Sequence, residues 1–239
     1  MTRVVISQPM YFPWPGFLAQ MALADVYIWL DDAQFSKGSF TNRVQVKVGA
    51  ERKWMSVPLA GKGSGQFIGS LSANGNTWEQ GHRALLTQSL RGKPYVADAL
   101  ALFDSVMAGT TLCDRMIESA QAMAKPLGIL PKRILRSSNM GVEGTGWSRV
   151  LDMVRAVDGT TYITGHGAAS YLDHAAFEAA DIAVEYMSYD VAPWPQTGEF
   201  TPYVTALDLL ASCTPTVART GLNPATVSWR SFLKERSGS

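Results

Sequence analysis

The sequence predicts an α/β protein with a mainly parallel sheet, folded as a single domain over 1–239. Three observations carry that prediction. A β-branched run at Arg3 to Gln8 (RVVISQ), a helix-like stretch at Gly16 to Ala24 (GFLAQMALA) and an apolar run at Asp25 to Leu30 (DVYIWL) form a strand–helix–strand unit. Beyond Gly128 short strand-like runs again alternate with helical ones, the pattern of parallel strands joined by right-handed crossovers. No internal repeat and no Pro-, Gly- or Ser-rich linker divides the chain.

The elements follow in order. The first strand runs into QPMYFPWPGF (8–17), where Pro9, Pro13 and Pro15 restrict the backbone and Gly16 opens the next helix. RVQVKV (Arg43 to Val48) and KWMSVPL (Lys53 to Leu59) alternate apolar and polar residues around GAER, which predicts a β-hairpin inserted over 43–59. AGKGSGQ (Ala60 to Gln66) reads as a mobile surface loop or a lid. It lacks the GxxxxGK[ST] spacing of a phosphate-binding P-loop. A helical insertion spans 77–125: Thr77 caps a helix carrying Trp78, Leu85, Leu86 and Leu90, followed by helices at Tyr95 to Met107 and Leu112 to Ala124. Strands are expected at Lys132 to Ser137, Thr161 to Thr164 and Ile182 to Ser188, and helices at Ser148 to Ala156, Ala175 to Ala179, Leu207 to Ala211 and Val227 to Lys234.

Composition narrows the function. The 239 residues are 46% hydrophobic and 17% charged with a net charge of +1, which argues against a dominant nucleic-acid surface. Apolar stretches are interrupted well before the roughly 18 residues of a membrane span. The N-terminus enters a strand without a basic, then apolar, leader, so a cytoplasmic location is expected. Cys113 and Cys213 stand alone, without the spacing of a disulfide framework or zinc site, and no metal set is visible.

In open α/β sheets ligands bind at the carboxyl ends of the strands. That rule selects QPMYFPWPG, DDAQFSKGSF, SSNMG and GHG. The first turn reads as a preorganised wall of a site, with Gln8 and Tyr11 as polar contacts, or as a structural clamp. Asp31 and Asp32 are adjacent on an extended chain, so their carboxylates are expected on opposite sides, one toward a ligand and one capping the turn. Gln34, Lys37, Asn42, Arg43 and Lys47 crowd the next loop and strand. Arg43, Gln45 and Lys47 share one hairpin face, which is either solvated or anion-binding. Ser137 and Ser138 suit helix capping or phosphate contact. His82 and His166 are candidate functional histidines, and His174 reads as helix surface. Cys113 reads as core.

Longer strings carry a resemblance. QPMYFPWPGF, ADVYIWLDDAQFSKGSFTNRVQVK, Trp78 with His82, Arg136-Ser137-Ser138, TYITGHGAASYL, PWPQ and TALDLL are similar to the WbqC-like protein family over nearly the whole chain. That resemblance implies bacterial O-antigen-type glycan or related biosynthesis, with glycyl or other acyl transfer onto the amino group of a nucleotide-linked sugar. ATP or another activated acyl donor is the implied co-substrate. Such transfer needs a base, for which Asp31, Asp32 or His82 is the candidate, and groups to hold the carbonyl or a phosphate, for which Arg43, Lys47, Asn42 or backbone N–H groups of the first turn are the candidates. Gln8, Tyr11, Pro13, Gly16, Gln34, Lys37, Asn42, Lys47, Ser137, Ser138 and His166 take binding roles. The opening unit and RSSNM also resemble the Rossmann-like nucleotidylyltransferase and pantothenate-synthetase superfamily, although the paired histidines of its HxGH motif are replaced near Trp14 and Phe17. An ATP-using ligase and a non-catalytic small-molecule-binding protein are the alternative expectations.

Overall fold

The computed structural model describes residues 1–62 and 65–237. A six-stranded sheet is built from β1 (Arg3–Ser7), β2 (Val26–Trp29), β5 (Arg133–Arg136), β6 (Thr161–Thr164), β7 (Ala183–Ser188) and β8 (Ala225–Ser228), in the spatial order β5-β2-β1-β6-β7-β8. All neighbours pair in parallel except β7 with β8. The chain moves outward from β1 through β2 to β5 and then crosses to β6 on the other side of β1. The topological switch point therefore lies between β1 and β6, at the ends carrying Gln8 and Gly165.

Each central strand buries both faces, as a covered parallel sheet requires. Val5, Tyr27, Trp29, Ile163 and Met187 face one apolar layer. It is completed by residues of α1 (Pro15–Ala22), α2 (Trp78–Ser89), α3 (Val96–Met107), α4 (Leu112–Ala124) and α7 (Ala206–Ser212). Val4, Ile6, Val26, Ile28, Tyr162 and Val184 face the other layer, with α5 (Gly146–Arg155), α6 (His174–Glu178) and α9 (Trp229–Ser237). The period-2 alternation of β1 and β2 thus assigns successive side chains to opposite layers.

The hairpin forms a separate two-stranded sheet of β3 (Arg43–Val48) and β4 (Glu51–Ser56). Its turn is the two residues Gly49–Ala50 and not the four of GAER, because Gly49 at φ 61 supplies the positive φ that a two-residue hairpin turn needs. The three helices of the 77–125 insertion occur where the sequence places them, but Thr77 is already in the helical region and makes no side-chain cap bond. Thr111 performs that role for α4, accepting from the Asp114 backbone N–H.

The C-terminal part differs most from expectation. Val227 does not start a helix: β8 adds an antiparallel edge strand before α9 begins at Trp229. α8 (Pro215–Gly221) also went unpredicted, though Thr214 caps it and Pro215 occupies its first turn. His174 is buried rather than on the surface, with Nε2 2.8 Å from the Tyr186 hydroxyl, because α6 packs its first turn on β7. In the 60–66 loop, Gly63 and Ser64 lie outside the described residues, and with them the lid expectation.

Candidate functional site

The first turn is a hub to which five segments are tied. The Tyr11 N–H donates to the Thr41 carbonyl at 2.9 Å, which fixes the loop entering the hairpin, and the Pro13 carbonyl accepts from the Ala206 N–H at 2.8 Å. The Phe12 N–H donates to Ser119 Oγ of α4 at 2.9 Å. Tyr11 Oη reaches Nδ1 of His82 on α2 at 3.0 Å, and the Trp14 ring packs on Tyr189 and Tyr203. Phe12 holds a φ of 42, a left-handed conformation that strains a non-glycine residue and persists only where surroundings over-determine it. Gly16 serves this packing: a Cβ there would lie 2.2 Å from the Trp14 ring, so the indole already occupies the open space. Pro13 and Gly16 are both buried.

His82 is buried and bonded through both ring nitrogens. A carbonyl only accepts, so the contact of Nε2 with the Ser56 carbonyl at 3.2 Å requires the Nε2–H tautomer, and Nδ1 then accepts from Tyr11. Burial lowers the His82 pKa to about 4 and raises that of the Tyr11 phenol well above its ordinary value. Both groups are therefore neutral at neutral pH.

At the carboxyl ends of β2 and β5 the two aspartates converge instead of diverging. The strand ends at Trp29, and Asp31 and Asp32 lie in a turn where the extended-chain alternation no longer holds. Ser137 Oγ lies 2.6 Å from Asp32 Oδ1 and 3.2 Å from Asp31 Oδ1. Asp31 also accepts from the Ser138 backbone N–H at 3.1 Å and from Ser138 Oγ at 2.8 Å. Asp32 accepts from Nη1 and Nη2 of Arg149, a bidentate pair that sequence reading missed because nothing around Arg149 in α5 marks it. Burial works against the Asp32 charge, but hydrogen bonds from Arg149 and Ser137 outweigh it and lower its pKa. Next to this cluster, burial pushes the Cys113 thiol up to about 11, so it is an inert core group.

A cleft of about 260 Å³ lies beside the hairpin, lined by Phe35, Lys37, Asn42, Arg43, Ser56 and Leu59 among others. Three predicted site residues meet there, and His82 and Tyr11 stand behind its Ser56 wall. The Arg43 guanidinium lies 4.4 Å over the Trp54 ring and bonds the Gly38 and Ser39 carbonyls. Asn42 Nδ2 donates to the Val57 carbonyl at 2.9 Å. No lining residue is a carboxylate, and among the described residues neither Lys37 nor Arg43 has an acidic partner. The lining therefore carries two uncompensated cations. Trp54, Ser56 and Leu59 were not selected from sequence; the signal for Trp54 and Ser56 was their place on β4, the strand paired with that of Arg43, and Leu59 follows it.

Other predicted residues lie apart from this cleft. Gln34 bridges Phe67 in the loop outside it. Gln8 is half-buried at the end of β1. His166 is exposed after β6, and its Nε2–H donates to the Met187 carbonyl at 2.7 Å, which leaves Nδ1 unpartnered among the described residues. Lys47 lines a different cavity. The polar hairpin face is only partly solvated: Arg43 is half-buried, Gln45 Oε1 is buried and Lys47 is 4% exposed.

Among the described residues no group of three or more His, Cys, Asp or Glu is placed to hold a metal ion, and no helix is long and apolar enough to cross a membrane. No solved structure matches the chain. An uncharacterised protein of Mycobacterium tuberculosis (strain ATCC 25618 / H37Rv), Rv1507c, is 29% identical over 218 residues, covering 88% of this chain and 93% of that protein. The model of the WbqC-like protein family matches residues 8–220, from the last polar residue before the first turn into the last turn of α8. The chain belongs to the WbqC-like protein family.

Proposed function

We propose that this protein is a biosynthetic acyltransferase that moves a glycyl or related acyl group onto the amine of a small anionic acceptor, of the nucleotide-linked amino-sugar class. The observation that carries the reading is the cleft of Lys37, Asn42 and Arg43, with two cations and no carboxylate. Such a lining favours a phosphate- or carboxylate-bearing substrate, and the same cations can hold the oxyanion that develops when an acyl carbon becomes tetrahedral. In the step, the amine lone pair attacks the acyl carbon, the new C–N bond forms, and the bond to the leaving group breaks. The proton lost by the amine ends on the departing group.

His82 acts in this reading as a positioning residue. Its Nε2–H holds the Ser56 carbonyl, whose second lone pair remains for an N–H of the acceptor amine. Asp31 and Asp32, with their hydrogen bonds to Ser137, Ser138 and Arg149, fix the carboxyl ends of β2 and β5. They brace the segment that leads through Phe35 to Lys37. His166, with Nδ1 unpartnered, is the histidine best placed to contact a ligand at the sheet edge. Incubating the protein with activated glycine donors and a panel of amino-sugar nucleotides tests the proposal. A product heavier by one glycyl residue is expected; release of pyrophosphate or AMP without acyl transfer would replace it with the ATP-using alternative.

A further inference from the structure

A second cavity, of about 440 Å³, opens at the other end of β3, within the size range of small-metabolite pockets. The turn of the hairpin, the corner between α2 and α3, the 195–197 segment and α7 enclose it. Its charge is not balanced. Lys93 is neutralised: its Nζ lies 3.2 Å from Asp208 and donates to Ser212 Oγ at 2.7 Å. Asp208 is consumed in that role and in accepting from Trp194 Nε1 at 2.6 Å. Lys47 is different. It is 4% exposed, and its Nζ donates to Gln196 Oε1 at 3.2 Å and to the Glu199 backbone carbonyl, both uncharged acceptors. An ammonium carries three N–H donors, so one remains. Among the described residues Lys47 has no carboxylate within ion-pair distance, and neither has Arg91, which lines the same cavity from an exposed position.

A buried cation without a counter-ion is strongly destabilising unless a bound anion completes it. We propose that this cavity is a phosphate-binding site, distinct from the Lys37–Arg43 cleft. Lys47 and Arg91 supply the two uncompensated charges, which match a group carrying about −1.5 to −2 at neutral pH. Backbone can approach the ligand closely at the rim. Gly92 lines the cavity at a φ of +81, and a Cβ there would meet no atom within 4 Å. Arg43 and Lys47 are four residues apart on one strand, about 13 Å at the usual rise. The two cationic sites are therefore separate pockets on one rigid element.

Isothermal titration calorimetry of the full chain with inorganic phosphate and pyrophosphate tests the site. Saturable binding is expected, weakened at least tenfold by Arg91→Ala and less by Arg91→Lys. It should be preserved in Lys53→Ala, an exposed hairpin cation that lines neither cavity. Arg91 is exposed and makes no internal bond among the described residues, so its variants test binding without threatening the fold. Lys47→Met should also abolish binding, with circular dichroism reporting whether the chain remains folded. Three outcomes would overturn the proposal: no heat with either anion at millimolar concentration, equal binding by the wild type and Arg91→Ala, or loss of binding in Lys53→Ala as large as in Arg91→Ala.

Discussion

His82 is buried between Ser56 and Tyr11, and that burial keeps its ring neutral, against the Ser56 carbonyl, which as an acceptor favours the protonated form. In an unfolded chain a histidine titrates near 6.5, whereas the folded protein holds this one at about 4. As pH falls through 6.5 the unfolded chain binds the proton first. The contribution is therefore complete above about 6.5 and lost progressively down to about 4, by up to about 3 kcal/mol. Urea denaturation of wild type and His82→Gln at pH 7 and pH 4.5 isolates it: the wild type should lose more stability between the two pH values than the variant. Asp31 makes a parallel prediction. Removing its carboxylate strands the Ser138 N–H and hydroxyl, so Asp31→Ala should lower unfolding free energy by about 2 kcal/mol. A loss below a few tenths would show that these bonds form to water equally well.

Gly16 and Trp14 show how an element is fixed by one close approach. The indole lies where a side chain on the first turn of α1 would project, so Gly16→Ala should destabilise by about 1–3 kcal/mol. Adding Trp14→Ala should recover part of that loss, because the clash is with the ring; a strictly additive double variant would contradict the geometry. Elements of this kind mark the limit of the sequence. Strands such as TYIT and helices such as Leu112–Ala124 were legible because burial on two faces or on one stripe writes a period into the chain. The convergence of Asp31 and Asp32 on Ser137 was not, because it depends on a turn that ends the period, and the Arg149 partner comes from 117 residues away. β8 was missed because a four-residue half-exposed edge strand running into a helix carries too little pattern to separate the two.

At the scale of the molecule, the family profile ends at residue 220, while β8 and α9 lie beyond it and close the sheet. β8 pairs antiparallel with β7, Thr226 Oγ1 donates to Glu185 at 2.6 Å, and Phe232 stacks on Tyr186 with ring centroids 4.1 Å apart. Ending the chain at Pro224 should expose the edge of β7 and the Tyr186 ring, and produce self-association on size-exclusion chromatography. A monodisperse truncated monomer of wild-type stability would make this segment an ornament. The cleft, by contrast, draws on residues from 35 to 82 and on the first turn, all inside the family region. Lys37, Asn42 and Arg43 were legible in the sequence as polar residues crowding one loop and strand; their meeting in one cleft and its charge balance required the structure, since among the described residues no carboxylate lies within ion-pair distance of Lys37 or Arg43.

The most direct test of the central claim is acyl transfer to amino-sugar nucleotides, followed by mass spectrometry, for wild type, Arg43→Ala and Lys37→Ala, with folding checked by circular dichroism. If the cationic cleft holds the substrate, the wild type forms the acylated product. Each variant, folded, should then lose at least tenfold in kcat/KM, a barrier increase of about 1.4 kcal/mol or more. Folded variants that turn over at the wild-type rate would contradict it.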